Sequence, residues 1–359
     1  LYGAKNISGH DFADKLIENI RGKVMRYFTD NSYELLQMAS DCSDNMICPQ
    51  KLYLDVTQDC NLWCKMCRDK RTICGRIMPM ELFCRIVDET SPYVRSYSLF
   101  NLGEPLLLRD LRERVRYVNR KKREDCHVEL STNGMLLDPD LIGFLAEAEV
   151  ELIISVDGAD KAAFESIRRG AGFERVMKNA EMAAKAYGDF PSHRSPSFYI
   201  SVQKDNEREI AEIFRLAFSL GIRRVGCGIV TAPSFCVPEQ NGALCHELET
   251  AYRFACEHCM FLDVYPTKVG DYVFADGKYR PASQYIVNTV CHAPLVSAAI
   301  DYAGDVYLCC NGGARVGNLS ESSFLDMWQS EAYHRLRRAV NRPEEMSERC
   351  GRCAWFNRN

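Results

Sequence analysis

From about residue 50 the chain alternates between short apolar runs and longer stretches in which apolar residues recur every three or four positions. The first pattern suits buried strands, the second amphipathic helices. Strands are predicted over 52–57 (LYLDVT), 95–100 (RSYSLF), 127–131 (HVELS), 151–156 (ELIISV), 197–203 (SFYISVQ) and 224–230 (RVGCGIV). Helices are predicted over 80–90, 109–122, 139–148, 160–168, 172–187 and 206–220. A β-then-α series of this kind folds as a parallel sheet with right-handed crossovers. A closed barrel of such units has eight, so six leave it open on one side, where a substrate can enter. The expected class is α/β, an open (β/α)6 partial TIM barrel, with chemistry gathered at the C-terminal strand ends.

The flanks read differently. In residues 1–50, Phe12, Leu16, Ile20 and Val24 form one apolar stripe, which predicts a helical cap. Residues 51–235 hold the barrel, and 236–290 form a proline-bearing linker (Pro238, Pro266, Pro281) with one helix near 245–258. Residues 291–359 make a small cysteine-bearing domain, with a hairpin in AAIDYAGDVYLCC around Gly304 and a helix near 323–340. Neither internal repeats nor low-complexity tracts interrupt this plan.

Composition adds one unusual number. Hydrophobic residues at 47% and charged residues at 26% are ordinary for a globular protein. The net charge of −4 gives no reason to expect nucleic acid or an anionic membrane as partner. Apolar runs stay well short of the about 18 residues a membrane helix needs, and the N-terminal segment lacks the apolar stretch of a secretory signal. The unusual number is 18 cysteines. In a long, regularly patterned chain they predict a reducing cytoplasm, with some thiols binding metal and the rest buried as small hydrophobes. Cys42, Cys48, Cys74, Cys84, Cys126, Cys236 and Cys245 are assigned to that second group, and the Cys256–Cys259 pair is read as structural.

Residues 60–67 read CNLWCKMC. Three thiolates just after a strand form a small cup for a cubane cluster, one of whose irons would stay open. The alternative is a zinc knuckle completed by a fourth ligand from elsewhere. Cys-x3-Cys-x2-Cys after the first strand of a βα series resembles the signature of the radical S-adenosylmethionine (SAM) superfamily, over about residues 50–230. The resemblance implies that the open iron holds SAM. One electron then breaks the S–C5′ bond, and the 5′-deoxyadenosyl radical takes hydrogen from substrate. Met66 stands where relatives often carry an aromatic residue, and as an adenine contact it departs from the pattern.

Three segments extend the resemblance. Leu102-Gly103-Glu104-Pro105 is similar to the Gly-Gly-Glu motif that binds the methionine amino group, with Leu in place of the first Gly. Ser131-Thr132-Asn133-Gly134 is similar to the segment near the SAM ribose and carboxylate. Ser155-Val156-Asp157-Gly158 precedes Arg168, whose guanidinium fork suits a carboxylate. Gly103, Glu104, Ser131, Asn133, Ser155, Asp157 and Arg168 are thus implied SAM contacts. Read as residues alone, the first segment is equally a turn and Arg168 a solvated helix end.

A second cysteine set, Cys291, Cys309, Cys350 and Cys353, resembles the SPASM/twitch extensions of radical SAM enzymes over about 285–359. The resemblance implies one auxiliary 4Fe–4S cluster in a twitch-type domain, while spacing alone also allows four-cysteine zinc. Cys310 stands beside Cys309 and competes for its place. Cys227, between Gly226 and Gly228 in the sixth strand, is a candidate hydrogen donor.

The expected activity is SAM-dependent radical C–H activation, with flavodoxin or ferredoxin as electron donor. The expected substrate is a small sugar or aminocyclitol-like metabolite, as in related antibiotic-pathway enzymes. Ribosomally made peptides are the alternative substrate, and a non-catalytic zinc scaffold the alternative class. Oxidation is expected over epimerisation, since a fully ligated tail cluster suits electron transfer.

Overall fold

The computed structural model describes residues 48–67, 73–188, 195–230, 233–262, 268–275, 277–284, 291, 293–311, 313–340, 342, 344–347, 350 and 353. The helical cap expected over 1–50 lies outside them apart from its last three residues.

Six parallel strands lie side by side in chain order: β1 (Lys51–Leu54), β2 (Ser96–Ser98), β3 (His127–Thr132), β4 (Val150–Ser155), β5 (Ser197–Val202) and β6 (Arg224–Ile229). The crossovers carry α1 (Met80–Thr90), α2 (Leu111–Lys121), α3 (Pro139–Glu147), the pair α4 (Lys161–Ile167) and α5 (Phe173–Tyr187), and α6 (Ile210–Ser219). These elements fall where the apolar pattern puts them, and side-chain caps set several helix starts. Asp138 accepts from Leu141 N with Pro139 in the first turn, and Asp160 accepts from Ala163 N.

The sheet continues beyond the six strands at both ends. After β6, α7 (Gly242–Glu257) leads into a short β7 (Phe261–Leu262), parallel to β6. A separate antiparallel sheet follows, made of β8 (Lys268–Val269), β9 (Tyr272–Ala275) and β10 (Lys278–Pro281). The tail comprises α8 (Ala293–Val296), β11 (Ser297–Ile300), β12 (Asp305–Tyr307), β13 (Arg315–Asn318), α9 (Phe324–Trp328) and α10 (Glu331–Ala339). Strand β11 pairs in parallel with β1, so the order runs β13-β12-β11-β1-β2-β3-β4-β5-β6-β7. The sheet thus crosses the boundaries expected at 235 and 290. Among the described residues no pairing joins β7 to β13, and the barrel stays open.

The hairpin turn at Asp301–Gly304 closes with Asp301 Oδ1 accepting from Ala303 N and Asp305 N, and Gly304 takes φ +86°. The single helix expected near 323–340 is two, because Ser330 caps α10 and restarts the turn.

Strand alternation divides the barrel cleanly. Leu52, Leu54, Val128, Leu130, Leu152, Ile154, Phe198, Ile200 and Val225 are fully buried against the helix layer. That layer presents Phe83, Ile86, Val115, Leu145, Phe164, Ala180 and Phe214. The opposite parity faces the lumen and is mostly polar. There Lys51 Nζ pairs with Glu129 at 2.7 Å, Ser96 and Ser98 also donate to Glu129, and Arg224 pairs with Glu151 at 2.7 Å. Among the described residues no helix is long and apolar enough to cross a membrane.

Candidate functional site

The cysteine cup leaves β1 and is fastened on several sides. Within it, Cys67 N donates to Cys64 O at 3.1 Å and Leu62 N to the Cys60 sulfur at 3.4 Å. Trp63 N donates to Arg169 O and Lys65 N to Ile167 O, which ties the cup to the end of α4. The Trp63 ring lies over Gly170, where a Cβ would come within 2.9 Å of it. Lys65 pairs with Asp205 beyond β5 at 2.7 Å, and Asn61 Oδ1 accepts from Asn133 Nδ2 beyond β3 at 2.8 Å. Burial pushes the Cys60 thiol up and the Cys64 thiol up to about 11, while the charge of Arg168 pulls both back. Metal binding would replace those protons.

The Gly103–Glu104 segment packs onto the same turn. Gly103 has φ +76°, and a Cβ there would lie 2.4 Å from Thr57 O, so only glycine fits. Leu102 N donates to Asp55 Oδ1 and Glu104 N to Asp59 O. Glu104 is buried. Its Oε1 accepts from Leu106 N at 3.1 Å and Thr132 Oγ1 at 2.7 Å, and its Oε2 accepts from Asn133 N at 2.7 Å. A carboxylate offers about four acceptor positions, and donors from the described residues take three of them. Burial pushes its carboxyl above the ordinary range, against the pull of these donors and Arg168.

Arg168 is not a solvated helix end. It is buried and pairs through Nε with buried Asp157 Oδ2 at 2.7 Å, while Asp157 Oδ1 accepts from Ser201 N at 2.7 Å. The charge of Asp157 acts on Arg168 first, and the fields of Cys64 and Cys60 reach it as well. Ser131 and Ser155 are half-buried on the lumen parity of β3 and β4. Met66 is half-buried in the cup. The Asn133 amide is committed to Asn61 and Met135 N, so its side chain braces the cup.

Cys227 does not fit the role of hydrogen donor. It shares the parity of Val225, pairs with outward-facing Ile200, and is fully buried in the apolar core, which pushes its thiol up to about 12. Its neighbours Gly226 and Gly228 carry the lumen parity instead. Two of the cysteines expected to be buried are not: Cys74 is exposed and donates to Asp59, and Cys84 is half-buried. Cys256 and Cys259 are exposed at the end of α7, and Cys42 lies outside the described residues.

The tail brings Cys291, Cys309, Cys350 and Cys353 together, with each of the first two in the field of the last two. Cys310 turns the other way, hydrogen-bonded to Tyr53 on the lumen side of β1 and within the field of Lys51. Four soft thiols at one place, and three at the other with a guanidinium beside them, are donor sets that fit iron–sulfur clusters. Sequence reasoning passed over Asn61, Asp59 and Thr132. Only the folded chain shows Asn61 to be a brace, although Thr132 stood inside a motif already singled out.

Residues 54–217 match the radical SAM superfamily, and residues 291–354 match the SPASM iron–sulfur cluster-binding domain. The chain thus carries a radical SAM domain over 54–217 and a C-terminal SPASM domain over 291–354. These domains imply a SAM-binding 4Fe–4S cluster, SAM itself and an auxiliary iron–sulfur cluster.

Among relatives, the chain is 24% identical over 331 residues to an AdoMet-dependent heme synthase of Oleidesulfovibrio alaskensis, covering 84% of this chain and 79% of that protein. It is 28% identical over 181 residues to a tungsten-containing aldehyde ferredoxin oxidoreductase cofactor-modifying protein of Pyrococcus furiosus, covering 48% and 49%. Among solved structures, anSMEcpe with bound AdoMet matches with TM-score 0.61 and 18% identity over 86% of this chain and 88% of that one. SuiB of Streptococcus suis bound to S-adenosylmethionine matches with TM-score 0.63 and 18% identity over 92% and 79%. These two likenesses establish a shared fold.

Proposed function

We propose that this chain reductively cleaves SAM and abstracts hydrogen from a C–H bond of a small sugar or aminocyclitol-like metabolite, oxidising it. The observation that carries the reading is the convergence on one another of the Cys60–Cys64–Cys67 cup, Glu104 and Arg168 at the C-terminal strand ends. When bound, the cluster and SAM supply the electron and the carbon radical. Glu104 offers its remaining acceptor position to the ammonium group of SAM, and Arg168 balances the charge of the cup. Ser131 and Ser155 line the approach. The polar lumen, with its serines and ion pairs, suits a substrate rich in hydroxyl or amino groups. The four tail thiols hold the auxiliary centre that takes the second electron. Electron supply by flavodoxin or ferredoxin in a reducing cytoplasm belongs to the same reading.

Anaerobic protein given a strong reductant and SAM is expected to form 5′-deoxyadenosine, and the Cys64→Ala variant none. Glu104→Ala is expected to weaken SAM binding by about 1.5–3 kcal/mol, the worth of a charge-assisted bond. Glu104→Gln controls for the cavity. Unchanged SAM affinity in both variants would reduce the segment to a turn. Colourless, zinc-bearing protein would favour the scaffold alternative.

A second reading, modification of a ribosomally made peptide, is favoured by one likeness. SuiB bound to its precursor peptide SuiA matches 91% of this chain with TM-score 0.62. Turnover in D2O separates oxidation from epimerisation, because a thiol donor would deliver solvent deuterium to carbon.

A further inference from the structure

Three of the four tail thiols have N–H donors beside them. Gly313 N and Asn311 N donate to Cys309, and Ala293 N donates to Cys291. Asn311 Nδ2 donates to the Cys353 sulfur at 3.8 Å. Asn311 therefore reaches two thiols that lie on different segments of the tail, one through its backbone and one through its side chain. The loop is tightly wound here. Leu308 N bonds Ala314 O at 3.1 Å, and a Cβ on Gly313 would lie 3.4 Å from the Cys309 sulfur. In the SAM-site cup, among the described residues, the corresponding donor is Leu62 N to Cys60.

Hydrogen bonds to cluster sulfurs draw off negative charge. They stabilise the reduced, more negative form most, and so raise the reduction potential. Donors of this kind make the tail centre easier to reduce than it would be without them. A raised potential suits an acceptor of the electron that a substrate radical loses as it is oxidised.

We propose that Asn311 is a positioning residue that ties Cys309 to Cys353 and raises the reduction potential of the auxiliary cluster through its N–H donors. This rests on the reading that Cys291, Cys309, Cys350 and Cys353 hold that cluster. It concerns the chain's own residues and is independent of substrate.

The test is a redox titration of anaerobic full-length protein followed by electron paramagnetic resonance. The Cys60→Ala/Cys64→Ala/Cys67→Ala variant assigns the auxiliary signal. Asn311→Ala is expected to titrate at a more negative potential than the parent with its auxiliary iron retained. Asn311→Asp keeps the shape, replaces the donor by an anion, and is expected to lie lower still. Should Asn311→Ala fail to hold the cluster, the isosteric Asn311→Asp decides by the same sign. Midpoints equal to the parent's, with iron retained, overturn the proposal. Loss of auxiliary iron from both variants also overturns it, leaving Asn311 a purely structural tie. A parent whose tail holds zinc, or no metal, removes the reading beneath it instead.

Discussion

Gly103 and Gly75 have almost the same backbone angle, φ +76° and +80°, in different surroundings. Around Gly75 there is open space, whereas a Cβ on Gly103 would drive into the carbonyls of Thr57 and Asp59. Gly75→Ala should therefore cost only the left-handed penalty, about 1–2 kcal/mol. Gly103→Ala should cost clearly more, and it should also displace Glu104, whose N–H is bonded to the same turn. Urea unfolding of the two variants measures the difference, and equal losses would show that the turn yields. Burial orders the other single residues too. Glu104, Asp157 and Arg168 sit at sites where an unpaired charge would be costly. The sequence could name these residues, but it could not say that Arg168 is buried and paired.

At the scale of elements, the lumen ion pairs join strands that the chain keeps apart. Lys51 on β1 and Glu129 on β3 meet across β2, whose Ser96 and Ser98 also donate to the carboxylate. Burial alone would raise the Glu129 carboxyl; Lys51 and the two hydroxyls outweigh it and hold it below the ordinary range. A group depressed in the folded state adds stability above its unfolded pKa, about 4.3, and loses it as pH falls through the folded value. The parent should therefore lose denaturant resistance below about pH 4 more steeply than Glu129→Gln does. Parallel curves in urea midpoint against pH would place the acid sensitivity elsewhere. The same alternation that puts Glu129 in the lumen puts Cys227 outside it. That was legible in the sequence, because Gly226 and Gly228 hold the lumen parity shared by Ser131, Ser155 and Ser201. The glycines drew attention to the position, and the strand's period of two decides against the thiol.

At the scale of the whole molecule, the tail is part of the barrel sheet. Strand β11 pairs with β1 over Lys51–Leu54, with Gln50 N to Val296 O and Asp55 N to Ile300 O extending the contact. A chain ended at residue 290 would bare the edge of β1 beside the cysteine cup. Its expected behaviour is loss of soluble protein, measured as the soluble fraction and the far-ultraviolet dichroism of what remains. Fully soluble, folded protein would show that β11 is dispensable. The two cysteine sets also make a count. Reconstituted protein should hold about eight irons, and the triple variant of Cys60, Cys64 and Cys67 to Ala about four. Full iron in the triple variant would place the first cluster on other residues.

The sequence by itself determined the order of strands and helices, the cup and the second cysteine set. Apolar period and ligand spacing are local properties, fixed by backbone geometry within a few residues. The tertiary structure alone decided what depends on partners far along the chain. It put β11 against β1 and made β7 an eighth parallel strand in the row. It paired Arg168 with Asp157 and braced Asn61 with Asn133. It also turned Cys309 and Cys310 to opposite sides, one toward the metal set and the other toward Tyr53 in the lumen. Both stand in the tight loop after β12, and which of them meets the other thiols follows from how that loop packs between distant segments, which is not written in local spacing.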